Sequence, residues 1–233
     1  IGEGEPWLIE KRSVDTILSV IRHGKPLFEP GTDMRYSNSG FYLLTKIIEK
    51  CYNKPYAKIV EKEIVKPLKL KDFRSFDSYN NNYFRSYKYA NEWIEAPDFY
   101  PQNIIGVGDI LATPRDLNNF LEGLFAGKLL KKETLEKMKA GKDNNGFGKG
   151  FMYIPYKKNV FLGHGGDTYG THTLAGYNVQ DKIAISITIN GQRYEHNAVY
   201  IAILGAIYDP ELKLPEFETN VLKLSPEQLK QYE

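Results

Sequence analysis

Lys182-Ile183-Ala184-Ile185-Ser186-Ile187-Thr188-Ile189-Asn190 alternates large apolar side chains with small or polar ones along its whole length. A period of two marks a strand with two unlike faces. Upstream of it, Thr171 to Val179, Val160 to His164 and Gly148 to Pro155 are strand-like in composition and joined by short polar connections. Four successive strands in an antiparallel meander are therefore predicted. Downstream, His196 to Tyr208 is apolar enough to form a helix lying against that sheet. The segments before Gly148 have a helical period instead. Helices, then a meander, then a covering helix predict an α/β (α+β) layered architecture, an antiparallel sheet flanked by helices beside a mainly helical lobe.

In the helical part, Ser13 is placed to cap a helix to His23, with Val14, Ile17, Leu18 and Ile21 on one face and Gly24 at its end. A second helix is expected from Asn38 or Ser39 to Asn53. Its apolar face, Phe41, Leu44, Ile47, Ile48 and Cys51, is read as the inward one, which makes Cys51 a buried structural thiol. Pro55 opens a third helix, to about Val65. Between Asp72 and Pro101 no period is sustained, and a loop with short strands is expected. Thr113 and Pro114 start a helix that Gly127 stops, and a short helix from Lys132 to Lys139 precedes a break from Gly141 to Gly146. Residues 1–140 are thus assigned to the helical lobe and 141–210 to the strands and last helix. Residues 211–233, with Pro215 and Pro226, read as a linker.

Composition narrows the function. The chain has 233 residues, 42% of them hydrophobic, which suffices for a core without staples. With 31 basic and 29 acidic residues it has a net charge of +2, so no concentrated positive face for nucleic acid is expected. The longest apolar run, Ala198 to Tyr208, is about half of the roughly 20 residues that a transmembrane span needs. One cysteine excludes an internal disulfide framework and a multi-thiolate zinc site. Seventeen tyrosines and twelve phenylalanines suit a wide, partly polar cleft, and equally an aromatic core.

Three segments have chemical potential. In Pro30-Gly-Thr-Asp-Met-Arg-Tyr-Ser-Asn-Ser-Gly-Phe41, Tyr36 and Asn38 lie two apart at a turn that leads into a helix, and can point to one side of it. The bland alternative is that Asn38 or Ser39 caps the helix while Tyr36 packs. In Phe161-Leu-Gly-His-Gly-Gly-Asp-Thr-Tyr-Gly170, His164 stands beside Gly165 and Gly166, whose unhindered N–H groups could stabilise an oxyanion; the alternative is a Gly-rich hairpin with a satisfied histidine. The third segment, Gly106 to Pro114, reads equally as a glycine turn before a capped helix. His23 and His196, at helix ends, are expected to face solvent or the helix dipole.

Taken together and in this order, the Phe-x-Pro-Gly-Thr-x-x-x-Tyr-Ser-Asn-x-Gly run and Gly-His-Gly-Gly resemble the penicillin-recognising serine hydrolases: class C β-lactamases, D-alanyl-D-alanine carboxypeptidases and related esterases. The likeness extends from about Val14 to Pro210. It implies a β-lactamase/transpeptidase-like fold and a cell-envelope or secreted protein. Tyr36 would be a proton relay, and Asn38 would bind the substrate amide. His164 would take the place of the family's lysine in Lys-Thr-Gly, with Gly165 and Gly166 completing that element and the N–H of Asp167 donating to the oxyanion. The substrate would be a small amide, an ester or a D-amino-acid peptide, cleaved through an acyl-enzyme with no metal or organic cofactor.

One departure is large. No serine here is followed three residues later by lysine, so the family's Ser-x-x-Lys nucleophile has no match, and Ser37 and Ser39 lack a paired base. Only 35 residues precede Tyr36, too few for the N-terminal strands and the nucleophile helix. The chain is therefore expected to be the C-terminal two-thirds or so of such a domain, inactive alone, with residues from Leu224 leading into an accessory domain. A sheet edge left open would favour a homodimer. Two other readings compete: a binding protein that keeps the cleft without catalysis, and a metal hydrolase built on His164, His172 and Asp167.

Overall fold

The computed structural model describes residues 5–76, 83–139, 146–209 and 211–217. Of the break expected from Gly141 to Gly146 only Gly146, in a turn, is described, and the tail from Leu224 lies outside the described residues. The helical part comprises α1 (Glu5–Ile9), α2 (Val14–His23), α3 (Asn38–Tyr52) and α4 (Tyr56–Val60), the last running through a π-helical turn, Glu61–Val65, into α5 (Lys66–Leu68). Short strands β1 (Phe73–Ser75), β2 (Tyr87–Ala90), β3 (Glu92–Glu95) and β4 (Ile110–Ala112) follow, then α6 (Pro114–Phe125) and α7 (Lys132–Met138). The meander is β5 (Met152–Tyr156), β6 (Asn159–Asp167), β7 (His172–Asn178) and β8 (Ile183–Ile189), then β9 (Gly191–Gln192) and α8 (His196–Tyr208).

The main sheet has the order β5-β6-β7-β8, antiparallel throughout as predicted. Its alternating residues separate two cores. Phe161, with no exposed surface, packs with Tyr156, Ile185 and Leu204 beneath α8. Its neighbour Leu162 points the other way, to Leu124, Leu135 and Phe151 of the α6–α7 side. A third cluster, Val60, Leu70 and Phe73, joins α4 and β1. The region from 72 to 101, expected to be loop with short strands, supplies β1, β2 and β3, which pair with β4 and β9 in two small sheets, β1-β4 and β3-β2-β9.

Local signals explain several helix ends. Ser13 accepts the Thr16 N–H, Thr113 accepts the Asp116 N–H at 3.2 Å, and Asn53 ends α3 in the left-handed conformation. Asp116 also accepts the N–H groups of Lys71 at 2.8 Å and Asp72 at 2.6 Å, fastening α6 to the approach to β1. Burial pushes its carboxyl up, but these bonds and Asn119 outweigh burial and leave it below the usual carboxylate range.

Helix α3 corrects the sequence reading. Its buried residues are Tyr42 and Thr45, whereas Leu44 is 51% exposed and Ile47 57% exposed. Cys51, expected to be buried, is exposed as well. Helical periodicity identifies an apolar stripe, but not which element covers it, and here the chain packs against the neighbouring face.

Two measurements check this packing. Tyr42→Ala is expected to lower unfolding stability by about 3 kcal/mol or more, and Ile47→Ala by less than about 0.5 kcal/mol, both by urea denaturation. Asp116→Ala should cost about 1.5–3 kcal/mol at neutral pH. Because the folded-state pKa of Asp116 is depressed, its contribution is present above about pH 4 and fades as pH falls further, so wild type and variant should converge in acid.

Candidate active site

Ser37, rather than Asn38 or Ser39, caps α3, its Oγ accepting the Gly40 N–H at 3.1 Å. That leaves the Asn38 side chain available, and its Oδ1 accepts a 2.9 Å hydrogen bond from the Tyr36 hydroxyl. Tyr36 is not packed away: it is 48% exposed. Its ring meets Phe41, Phe147 and His164, with centroids 6.3, 6.1 and 5.9 Å away. Partial burial pushes the Tyr36 phenol above its ordinary value.

His164 reaches this point because β6 outruns β5. The ladder with β5 stops at Gly163–Met152, while β6 stays paired with β7 as far as Asp167–His172. The Thr168 N–H donates to the Thr171 carbonyl at 2.9 Å across the turn, which sets the alternation. Gly165 and Asp167 then fall at the positions whose N–H and C=O groups point away from β7, to the side that β5 has vacated. His164 and Gly166 share one face of the strand. A Cβ at Gly166 would meet nothing within 4 Å. His164 Nδ1 lies 2.5 Å from the Gly165 carbonyl, which only accepts, so this contact uses the Nδ1–H and leaves Nε2 for other partners.

These elements border a cavity of about 410 Å³ lined by Met34, Tyr36, Phe41, Leu44, Phe147 and Phe151 among others, with His164 at its wall. That volume suits a small ligand. A second cavity of about 600 Å³, near Asn119, Glu122, Lys128 and Lys182, is larger but shares no residue with the first and contains none of the paired groups above. Phe147, which touches both Tyr36 and His164, was not singled out from the sequence. Its position between glycines in Gly146-Phe-Gly-Lys-Gly150 was the available signal.

The other candidates separate. In the Gly106 to Pro114 segment, Asp109 is 2% exposed and accepts hydrogen bonds from Ser75 Oγ and, at 2.6 Å, from the Gly106 N–H. Burial raises its carboxyl despite these bonds. Asp109 is thus a buried lock joining the end of β1 to the turn before β4, and the rest of the segment is the glycine turn and capped helix start that the bland reading expected. Of the three residues considered for a metal hydrolase, His164 belongs with Tyr36, while Asp167 and His172 pair with each other at 2.6 Å. His196 stacks on His172 instead of facing solvent.

A paired tyrosine and asparagine before a helix, facing a strand edge with histidine and glycines, define a serine β-lactamase/transpeptidase-like fold. The chain belongs to the beta-lactamase family, whose model matches residues 2–208. D-amino acid amidase from Ochrobactrum anthropi SV3, complexed with L-phenylalanine amide, superposes with a TM-score of 0.70 at 26% identity, covering 80% of this chain and 59% of the amidase. D-stereospecific amidohydrolase from Streptomyces sp. gives 0.69 at 27% identity over 78% of this chain and 57% of that one. The octameric penicillin-binding protein homologue from Pyrococcus abyssi gives 0.66 at 25% identity over 78% and 44%. The chain therefore spans less than two-thirds of these proteins' lengths. Among curated proteins no sequence matches it.

A nuclear magnetic resonance titration of ring-labelled tyrosines tests the geometry around Tyr36. One phenol ionising above pH 10 should vanish in Tyr36→Phe. A Tyr36 phenol ionising below 10 would contradict the partly buried position.

Proposed function

We propose that this chain forms the substrate side of a serine acyl-hydrolase site, and that the full-length protein containing it cleaves a small amide, ester or D-amino-acid peptide. The observation that carries the reading is the meeting of Tyr36 and His164, distant in sequence, at the wall of one apolar cavity. A serine hydroxyl would attack the acyl carbon, forming the C–O bond as its proton passes to the base. The resulting oxyanion would be stabilised by the N–H of Asp167, on the exposed side of β6. Collapse would break the bond to the leaving group, which takes a proton relayed through Tyr36, and water would then cleave the acyl-enzyme. Asn38 and Nε2 of His164 would orient the substrate, with Gly165 and Gly166 allowing its close approach.

Tyr36 donates to Asn38, and desolvation raises its phenol, so it needs a nearby cation to serve as a base. The lysine of a Ser-x-x-Lys element would supply one. Met34, Phe41, Leu44, Phe147 and Phe151 suit an apolar acyl side chain, in keeping with the phenylalanine amide bound by the amidase. The division into a helical lobe, 1–140, and a sheet part, 141–210, remains our reading, with 211–233 a linker. Among the described residues β8 pairs with β7 alone, and that edge supports the homodimer expected from the sequence.

A binding protein without catalysis is the second reading. It is favoured by the absence of Ser-x-x-Lys and by the engagement of the Ser37 hydroxyl as a helix cap. A fluorophosphonate separates the two. A covalent adduct on one serine of the full-length protein, and none on the 233-residue chain, is expected. Labelling of Ser37 or Ser39 would overturn the assignment of roles, and a full-length protein that stays unlabelled would favour the binding protein.

A further inference from the structure

Beyond the cleft, Asp167 and His172 close the β6–β7 turn, with His172 Nδ1 2.6 Å from Asp167 Oδ1. His196, the first residue of α8, stacks on His172, their ring centroids 4.5 Å apart and their planes 16° from parallel. One ligand-capable atom from each of the three lies within 4.8 Å of the other two. Two of the chain's four histidines thus converge with a carboxylate.

Two buried polar atoms beside this cluster have no hydrogen-bond partner: His196 Nδ1 and, one turn along α8, the Tyr200 hydroxyl. Tyr200 is 8% exposed and its ring lies 5.4 Å from that of His196. Unpartnered buried groups are rare in native proteins and require an explanation. A cation ligated by the lone pair of His196 Nδ1 would supply one for that atom.

We propose that Asp167, His172 and His196 bind a divalent transition-metal ion, zinc being the best chemical match, in a three-ligand site that ties the end of β6 to the start of α8 and leaves a fourth position for solvent. Two imidazoles and one carboxylate suit zinc, whereas calcium and magnesium prefer oxygen ligands throughout. Zn–N and Zn–O bonds of about 2.0–2.2 Å at a tetrahedral angle put ligand atoms about 3.3–3.6 Å apart, so the 2.6 Å contact between His172 Nδ1 and Asp167 Oδ1 must open, or His172 must ligate through Nε2, when the ion binds. None of the three side chains lines the Tyr36–His164 cavity, although the backbone N–H of Asp167 is the one assigned to the oxyanion, and the metal proposal does not depend on the hydrolase reading.

The test uses the tag-free 233-residue chain after chelator treatment, titrated with Zn²⁺ by calorimetry and with Co²⁺ as a visible-absorption probe. One ion per chain is expected. His172→Gln and His196→Gln should each weaken binding by more than about tenfold, and His23→Gln should leave it unchanged. Circular dichroism checks that the variants fold. If the glutamine variants fail to fold, Asp167→Asn is compared by thermal melting, where the zinc-dependent rise in Tm seen in wild type should shrink. No stoichiometric binding at micromolar zinc, binding that survives both histidine substitutions, or an undiminished Tm rise in Asp167→Asn would overturn the site.

Discussion

Strands β6 and β7 approach so closely at Gly163 and Gly176 that a Cβ on residue 163 would lie 1.9 Å from the Ala175 carbonyl oxygen. No side chain fits there, so this contact requires glycine. It sits where β5 ends, and from there to Asp167 strand β6 is held by β7 alone. The backbone bonds to β7 keep His164, Gly165, Gly166 and Asp167 extended, and the missing β5 partner leaves one edge of that run available. Everything proposed for the cleft depends on this asymmetry.

The opposite wall is built with equal economy. Ser37 caps α3, which fixes where the helix begins, so Tyr36 precedes the helix and reaches His164 of β6 while Asn38, its first residue, accepts from the Tyr36 hydroxyl. Phe147 fills the space between Tyr36 and His164 and contacts both. The Asp109 lock, with Ser75 and Gly106 as partners, operates from the buried side. Beneath the sheet, Phe161 and Leu162 anchor β6 in two separate cores. The strand that presents His164 is thus positioned by apolar burial at one end and by backbone pairing at the other.

Much of this was legible in the residues. Capping chemistry at Ser13 and Thr113, and the alternation from Ile183 to Ile189, each have a local cause, and those elements form where expected. Tyr36, Asn38 and His164 were legible through their motifs, which is why the cleft could be anticipated across a long gap. What a local pattern cannot encode is which surface another element covers. That is why the apolar stripe of α3 was assigned inward, and why Cys51 was assigned to the core. His196 was missed for the same reason, since its partner His172 comes from a distant strand and only the packing of α8 on the sheet brings them together. Short strands were expected between Asp72 and Pro101, but their pairing with β4 and β9 was not, because strands of two to four residues carry no sustained period.

The central claim is that the Tyr36 turn and the exposed edge of β6 form one substrate site. An amide-resolved nuclear magnetic resonance titration of the chain with D-phenylalanine amide tests it most directly. The account predicts that shifts concentrate at Tyr36, Asn38, Phe147, Gly165 and Asp167. Shifts concentrated instead around Asn119, Lys128 and Lys182, with the Tyr36 and β6 amides unmoved, would contradict it.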